Sequence, residues 1–160
     1  MIEDKNLKIT FRSGEVKDIK DEAIISLIDS TKDFAVRAYA PYSKFQVSAG
    51  ALLDDGSTVF GANMENASYP VCICAERNLL STVVSNYPNQ KILQIVVYVD
   101  KYLPEPASPC GLCRQTLVEV EGRQNTSIQL FMVSKDGYFI QLNRCSDLLP
   151  WGFDGSFLEA

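Results

Sequence analysis

Two stretches of the chain hold residues fit for chemistry: Cys74-Ala75-Glu76-Arg77 and Pro109-Cys110-Gly111-Leu112-Cys113-Arg114-Gln115. Together they offer three thiols, Cys74, Cys110 and Cys113, and one carboxylate, Glu76. A catalytic zinc ion keeps three protein ligands and leaves its fourth position open, so this set suits one zinc per chain. The C-x-x-C spacing lets Cys110 and Cys113 reach one ion from a single helical turn. Glu76, so close after Cys74, then falls beside the open position. A carboxylate there can take a proton from water and pass it to substrate, first as general base and then as general acid.

Three thiolates around Zn²⁺ leave a net negative charge, which weakens the metal's ability to acidify a water. Arg77 and Arg114, each adjoining the ligand groups, are expected to donate hydrogen bonds to the sulfurs and draw charge away. Cys72 keeps a second reading open: Cys72, Cys74, Cys110 and Cys113 could form a closed four-thiolate structural zinc site in a partner-binding module. Outside that reading Cys72 and Cys145 are small core residues.

The elements around these residues can be read from pattern. Apolar residues from Asp21 to Ala40 recur at helical spacing, and Pro41 stops the run. Phe45–Leu53 and Thr58–Met64 read as strands joined by the Asp54-Asp55-Gly56-Ser57 turn. A helix follows from Ala75 to Val84, then a nearly all-apolar strand, Ile92–Val99, of the kind covered on both faces. Lys101–Pro109 holds three prolines and is loop. Cys110–Val120 reads as helix, and Ser127–Val133 and Tyr138–Leu142 as strands. Both thiol groups therefore lie where a loop enters a helix, and the partial positive charge of a helix N-terminus favours thiolates. The order predicts an α/β fold of three layers, α/β/α, with a central mixed five-stranded sheet. Residues 1–160 are expected to form one domain, with residues 1–17 as a loosely attached extension. The tail, Ser146–Phe153, reads as a short helical turn broken by Pro150 and followed by exposed aromatics.

Composition narrows the partners. At 160 residues, 46% hydrophobic and 22% charged, the chain can bury its own core. A net charge of −5 without a Lys/Arg run argues against polymeric nucleic acid, and no apolar stretch reaches the length of a membrane span. Five cysteines in the absence of a secretory leader point to the cytoplasm and to metal rather than disulfides.

The strings CAER and SPCGLCRQ, with NMENASYP upstream and LLPWGF near the end, resemble the small zinc-dependent cytidine deaminases of pyrimidine salvage, from about Pro41 to Phe153. The resemblance implies Cys74, Cys110 and Cys113 as zinc ligands. It implies Glu76 as the proton shuttle for hydroxide attack on C4 of cytosine, after which ammonia leaves and uridine or 2′-deoxyuridine remains. It also implies that Asn63 and Glu65 bind the sugar, Glu65 at the 3′-hydroxyl, that Phe45 lies against the base and that the Ala75 backbone reads the ring amide. Tyr69 and Phe153 match residues that serve neighbouring pockets in a homotetramer. The chain departs from the nucleic-acid-editing branch, since it has no histidine and Cys74 stands at the first ligand position. A relative acting on another aminopyrimidine nucleoside, such as blasticidin S, is the nearest enzymatic alternative.

Overall fold

The computed structural model describes residues 1–158. Six strands form one sheet in the order β1-β6-β5-β4-β2-β3: β1 Phe11–Glu15, β2 Val47–Leu53, β3 Thr58–Ala62, β4 Ile92–Val99, β5 Gln129–Val133 and β6 Tyr138–Leu142. The sheet is mixed, because β4 and β5 run parallel while the other neighbours are antiparallel. One helix, α1 Glu22–Phe34, packs on one face; α2 Ala75–Asn86 and α3 Gly111–Gln124 pack on the other. The three-layer expectation holds with one more strand than the sequence suggested.

The extra strand corrects the reading of residues 1–17. Phe11–Glu15 pairs with β6, from Phe11 opposite Leu142 to Glu15 opposite Tyr138, and the Val16 amide donates to the Gly137 carbonyl (2.8 Å). An edge strand held by main-chain bonds and exposed along its length needs no apolar alternation, so its side chains carry little signal.

The first helix is also shorter than its apolar period implied. Asp21 caps α1 through its carboxylate, which accepts from the Ala23 and Ile24 amides, and Ile24, Leu27 and Ile28 are buried under Val96, Tyr98 and Phe131. Full burial of such side chains contributes about 1.5–3 kcal/mol each. After Phe34 the chain tightens into a 3₁₀ turn, Ala35–Arg37, and Tyr39 turns extended to bond with the Asn63 carbonyl and the Glu65 amide. Those bonds to the segment after β3 end the helix before Pro41 does.

The face that carries the candidate site is built more tightly. Ile95 and Val97 of β4 meet Leu79, Leu80 and Val83 of α2 and Leu117 of α3. Gly61 in β3 lets α2 come very close: a Cβ there would stand 2.4 Å from the Leu79 amide nitrogen and 2.7 Å from the Ala75 carbonyl oxygen. The Asn78 side chain adds a bond to the Ala62 carbonyl (2.7 Å). The start of α2 is therefore set against the sheet by backbone contact.

Candidate active site

Cys74 and Cys110 are the capping residues of α2 and α3, and each gives its carbonyl to the first turn, accepting from the Asn78 and Arg114 amides respectively. Cys113 lies one turn into α3 and is buried. Strands β3 and β4 both run antiparallel to β2, so the chain leaves them for α2 and α3 at one end of the sheet. The Cys74 and Cys110 sulfurs are 3.8 Å apart, and those of Cys110 and Cys113 3.5 Å. All three lie within 4.8 Å of one another. Four bonds of about 2.3 Å directed tetrahedrally place neighbouring sulfurs about 3.8 Å apart, so the separations fit a zinc ion.

The charge state fits as well. A hydrogen bond with the Cys113 thiol, helped by one from Cys110 and by the charge of Arg77, holds the Cys74 thiol down to about 6 against burial and the nearby Glu76. The same bond and burial push Cys113 up. The cluster thus favours a thiolate at Cys74, and three sulfurs so placed suit a divalent cation.

Glu76 is on the first turn of α2 and only 5% exposed. Burial raises its carboxyl above the ordinary range, partly offset by hydrogen bonds from its own backbone amide and from Cys113. It lines a cavity of 210 Å³ together with Phe45, Asn63, Cys74, Ala75 and Ser108. A second hollow of 390 Å³ shares Asn63 and Cys74 and opens outward past Tyr42, Ser43, Glu65 and Tyr69. The two hollows share a wall formed by Asn63 and Cys74, and the Glu76 carboxylate belongs to the first.

Each residue singled out by sequence can now be placed. Asn63 accepts from the Val47 amide (2.9 Å) and donates to the Phe45 carbonyl (2.9 Å), so it fixes the entry to β2 while facing the cavity. Glu65 grips the turn before Phe45, accepting from the Tyr42 amide (2.9 Å), the Ser43 amide (3.2 Å) and the Ser43 hydroxyl. The Ser43 hydroxyl, followed by these amides, holds the Glu65 carboxyl below its usual value. Tyr69 is 69% exposed at the outer rim, edge-on to Tyr42. Phe153 is 56% exposed and lines neither hollow; it stacks on Phe157, and its carbonyl accepts from Gln115.

The arginines divide. Arg77 acts on Cys74 through charge. Arg114, expected on the sulfurs, instead donates to the Pro109 carbonyl (2.8 Å), the Ser108 hydroxyl (3.0 Å) and the Leu148 carbonyl (3.3 Å). Its guanidinium is spent tying the loop before α3 to the chain after β6. Cys72 is turned away from the cluster: its sulfur accepts from the Asn66 amide (3.2 Å). That geometry removes the four-thiolate alternative.

Three contributors escaped the sequence. Gly61 sets α2, Ser43 engages Glu65, and Glu121, buried in α3, accepts from the amides of Ile128, Cys145 and Ser146 at 2.8–2.9 Å. In a linear reading Glu121 is an ordinary helix charge; only its burial shows that it anchors the chain leading to Leu148 and the tail.

Comparison with known proteins agrees with this geometry. The family described as the cytidine and deoxycytidylate deaminase zinc-binding region matches residues 21–127, which contain all three thiols and Glu76. A cytidine deaminase of Mycoplasma pneumoniae is 39% identical over 116 residues, 72% of this chain and 83% of that protein. One from Halalkalibacterium halodurans is 42% identical over the same shares. The crystal structure of the cytidine deaminase from Burkholderia pseudomallei overlays with a TM-score of 0.71 at 33% identity, covering 80% of this chain and 97% of that one. The match begins at residue 21, so β1 lies outside it. On sequence, fold and the clustering of its three sulfurs, the chain belongs to the cytidine and deoxycytidylate deaminase family with its zinc-binding region.

Proposed function

We propose that this chain hydrolyses free cytidine and 2′-deoxycytidine to the uracil nucleosides and ammonia. The observation that carries the reading is a buried carboxylate, Glu76, sharing one cavity with Cys74 of the three-sulfur cluster. Cys74, Cys110 and Cys113 hold one zinc ion, which supplies the Lewis acidity that makes a water nucleophilic near neutral pH. Relatives named cytidine deaminase at 39% and 42% identity support the substrate.

The protein groups then have separable tasks. Glu76 takes a proton from water as the water oxygen bonds to C4, and delivers it to N3. It then takes the remaining proton from the hydroxyl on C4 and gives it to the amino group; C4=O forms as the bond from C4 to the amino nitrogen breaks, and ammonia leaves. A carboxyl raised by burial is suited to holding a proton between two such transfers. Phe45 lies against the base and the Ala75 backbone reads the ring amide; Asn63 and Glu65 meet the sugar, Glu65 at the 3′-hydroxyl. Arg77 tempers the charge of the thiolates, and Arg114 fixes the loop that carries Cys110.

The working form in this reading is a homotetramer in the cytoplasm. Tyr69, exposed on the rim of the second hollow, and Phe153, exposed and lining neither hollow, support it, since both rings are available to a neighbouring copy. Five unpaired cysteines suit a reducing compartment. No described helix is long and apolar enough to cross a membrane.

Product analysis tests the substrate. Purified protein is incubated in parallel with cytidine, 2′-deoxycytidine, blasticidin S and a cytosine-containing oligonucleotide, and ammonia is measured. Stoichiometric ammonia and uracil nucleoside from the first two is expected. Faster turnover of blasticidin S or of the oligonucleotide would move the assignment to that substrate.

A further inference from the structure

The stretch after β4 sends neighbouring side chains to different partners. Asp100 and Tyr102 both meet Lys135 of the turn between β5 and β6: the Lys135 ammonium is 2.8 Å from the Asp100 carboxylate and 5.6 Å from the centre of the Tyr102 ring. The Tyr98 hydroxyl donates to the same carboxylate (3.1 Å). Lys101, between them, turns the other way and sets its ammonium over the ring of Phe45, 5.6 Å from the ring centre. The Asp100 amide donates to the carbonyl of Gln46 (3.0 Å), so the backbone carrying Lys101 is tied directly to the residue after Phe45.

Phe45 itself is held at both ends of its backbone. Its amide donates to the Ser43 hydroxyl (3.0 Å) and its carbonyl accepts from Asn63 (2.9 Å). What these bonds leave free is rotation of the ring, and the ring lines the cavity that contains Glu76. A cation over an aromatic face is attracted by the negative charge of that face, and the attraction fades when the ring turns its edge to the cation.

We propose that Lys101 is a positioning residue for this site: its ammonium occupies one face of Phe45 and holds the ring in the attitude that leaves the opposite face to the substrate base. The proposal rests on the reading of Phe45 as the base contact. The Asp100–Lys135 pair serves it by fixing the direction in which Lys101 leaves the chain. The contact with the base is made before and during reaction alike, so weakening it raises KM and spares kcat.

The test is a set of kinetic measurements on the zinc-loaded full chain with cytidine, using Lys101→Met, Lys101→Arg, Phe45→Leu and the double variant Phe45→Leu/Lys101→Met, with melting temperatures alongside. Methionine keeps the length and apolar body of lysine and removes the charge. Lys101→Met is expected to raise KM about two- to fivefold with kcat and melting temperature unchanged, the size of an exposed cation–π contact. Lys101→Arg is expected to keep the parent KM, because a guanidinium also stacks on aromatic faces. In the Phe45→Leu background the lysine substitution should add nothing. A parental KM in Lys101→Met, or the same rise in KM with leucine at 45, overturns the proposal. So does a fall in kcat together with melting temperature, which would mark support of the loop alone. A parental KM in Phe45→Leu would instead remove the base-contact reading beneath it.

Discussion

The sulfurs and Glu76 stand on the first turns of two helices pressed against the sheet, with Leu79, Leu117 and Val97 behind them. The residues around the second hollow stand on loops: Glu65 follows β3 and Tyr69 lies in a short 3₁₀ turn, while Phe153 lies apart from both hollows, in a tail whose Trp151 is 91% exposed in the left-handed region (φ 57°). The Glu76 cavity is lined mostly by buried and half-buried residues, and the second hollow is rimmed by the exposed Tyr42, Ser43, Met64 and Tyr69. Proton transfer tolerates little displacement and is served by rigid elements, whereas recognition of a sugar can be finished by loops or by another copy of the chain.

Damage to the two regions should therefore differ in kind, and the largest effect belongs inside. Cys110→Ser is expected to lose the metal and bring turnover to background, while Cys72→Ser keeps one zinc per chain and full activity. Metal analysis beside a rate assay separates them, and metal loss in Cys72→Ser would break the distinction. Gly61→Ala comes next. The added methyl meets backbone of α2, so stability should fall by about 1–3 kcal/mol or more, with kcat falling as Ala75 and Glu76 shift. Denaturant unfolding and kinetics would show both, and unchanged values would mean that α2 is not set by this contact. The smallest effect is expected in the exposed tail. Phe153→Ala should leave zinc content and monomer stability alone, weaken assembly, and raise KM roughly tenfold, the cost of removing an aromatic anchor worth about 1–2 kcal/mol. Sedimentation with kinetics would check it; a parental KM and an intact assembly would place Phe153 outside the site.

The same division governs what could be read from the chain. Strands β4 and β6 and the starts of α2 and α3 were legible because apolar runs, the prolines and the cysteine spacing are local signals. Strand β1 was not, since Phe11–Glu15 is held by main-chain bonds to β6, a partner far along the chain. The early end of α1 depends on Tyr39 bonding to Asn63 and Glu65, another distant pairing. At the site, the ligand types and Glu76 could be named from spacing and family likeness. The partners of Arg114, the orientation of Cys72 and the anchoring by Glu121 are set by tertiary contacts, and neighbours in sequence say nothing of them.

In the proposed reaction Glu76 moves the protons while the three thiolates hold the metal. This division of roles is tested most directly by the rate of cytidine conversion in Glu76→Gln, with zinc content measured on the same preparation. One zinc per chain is expected, with kcat lowered by about 10²–10⁴-fold, the contribution of a positioned general acid–base group. A zinc-loaded Glu76→Gln that converts cytidine at the parent rate would contradict it.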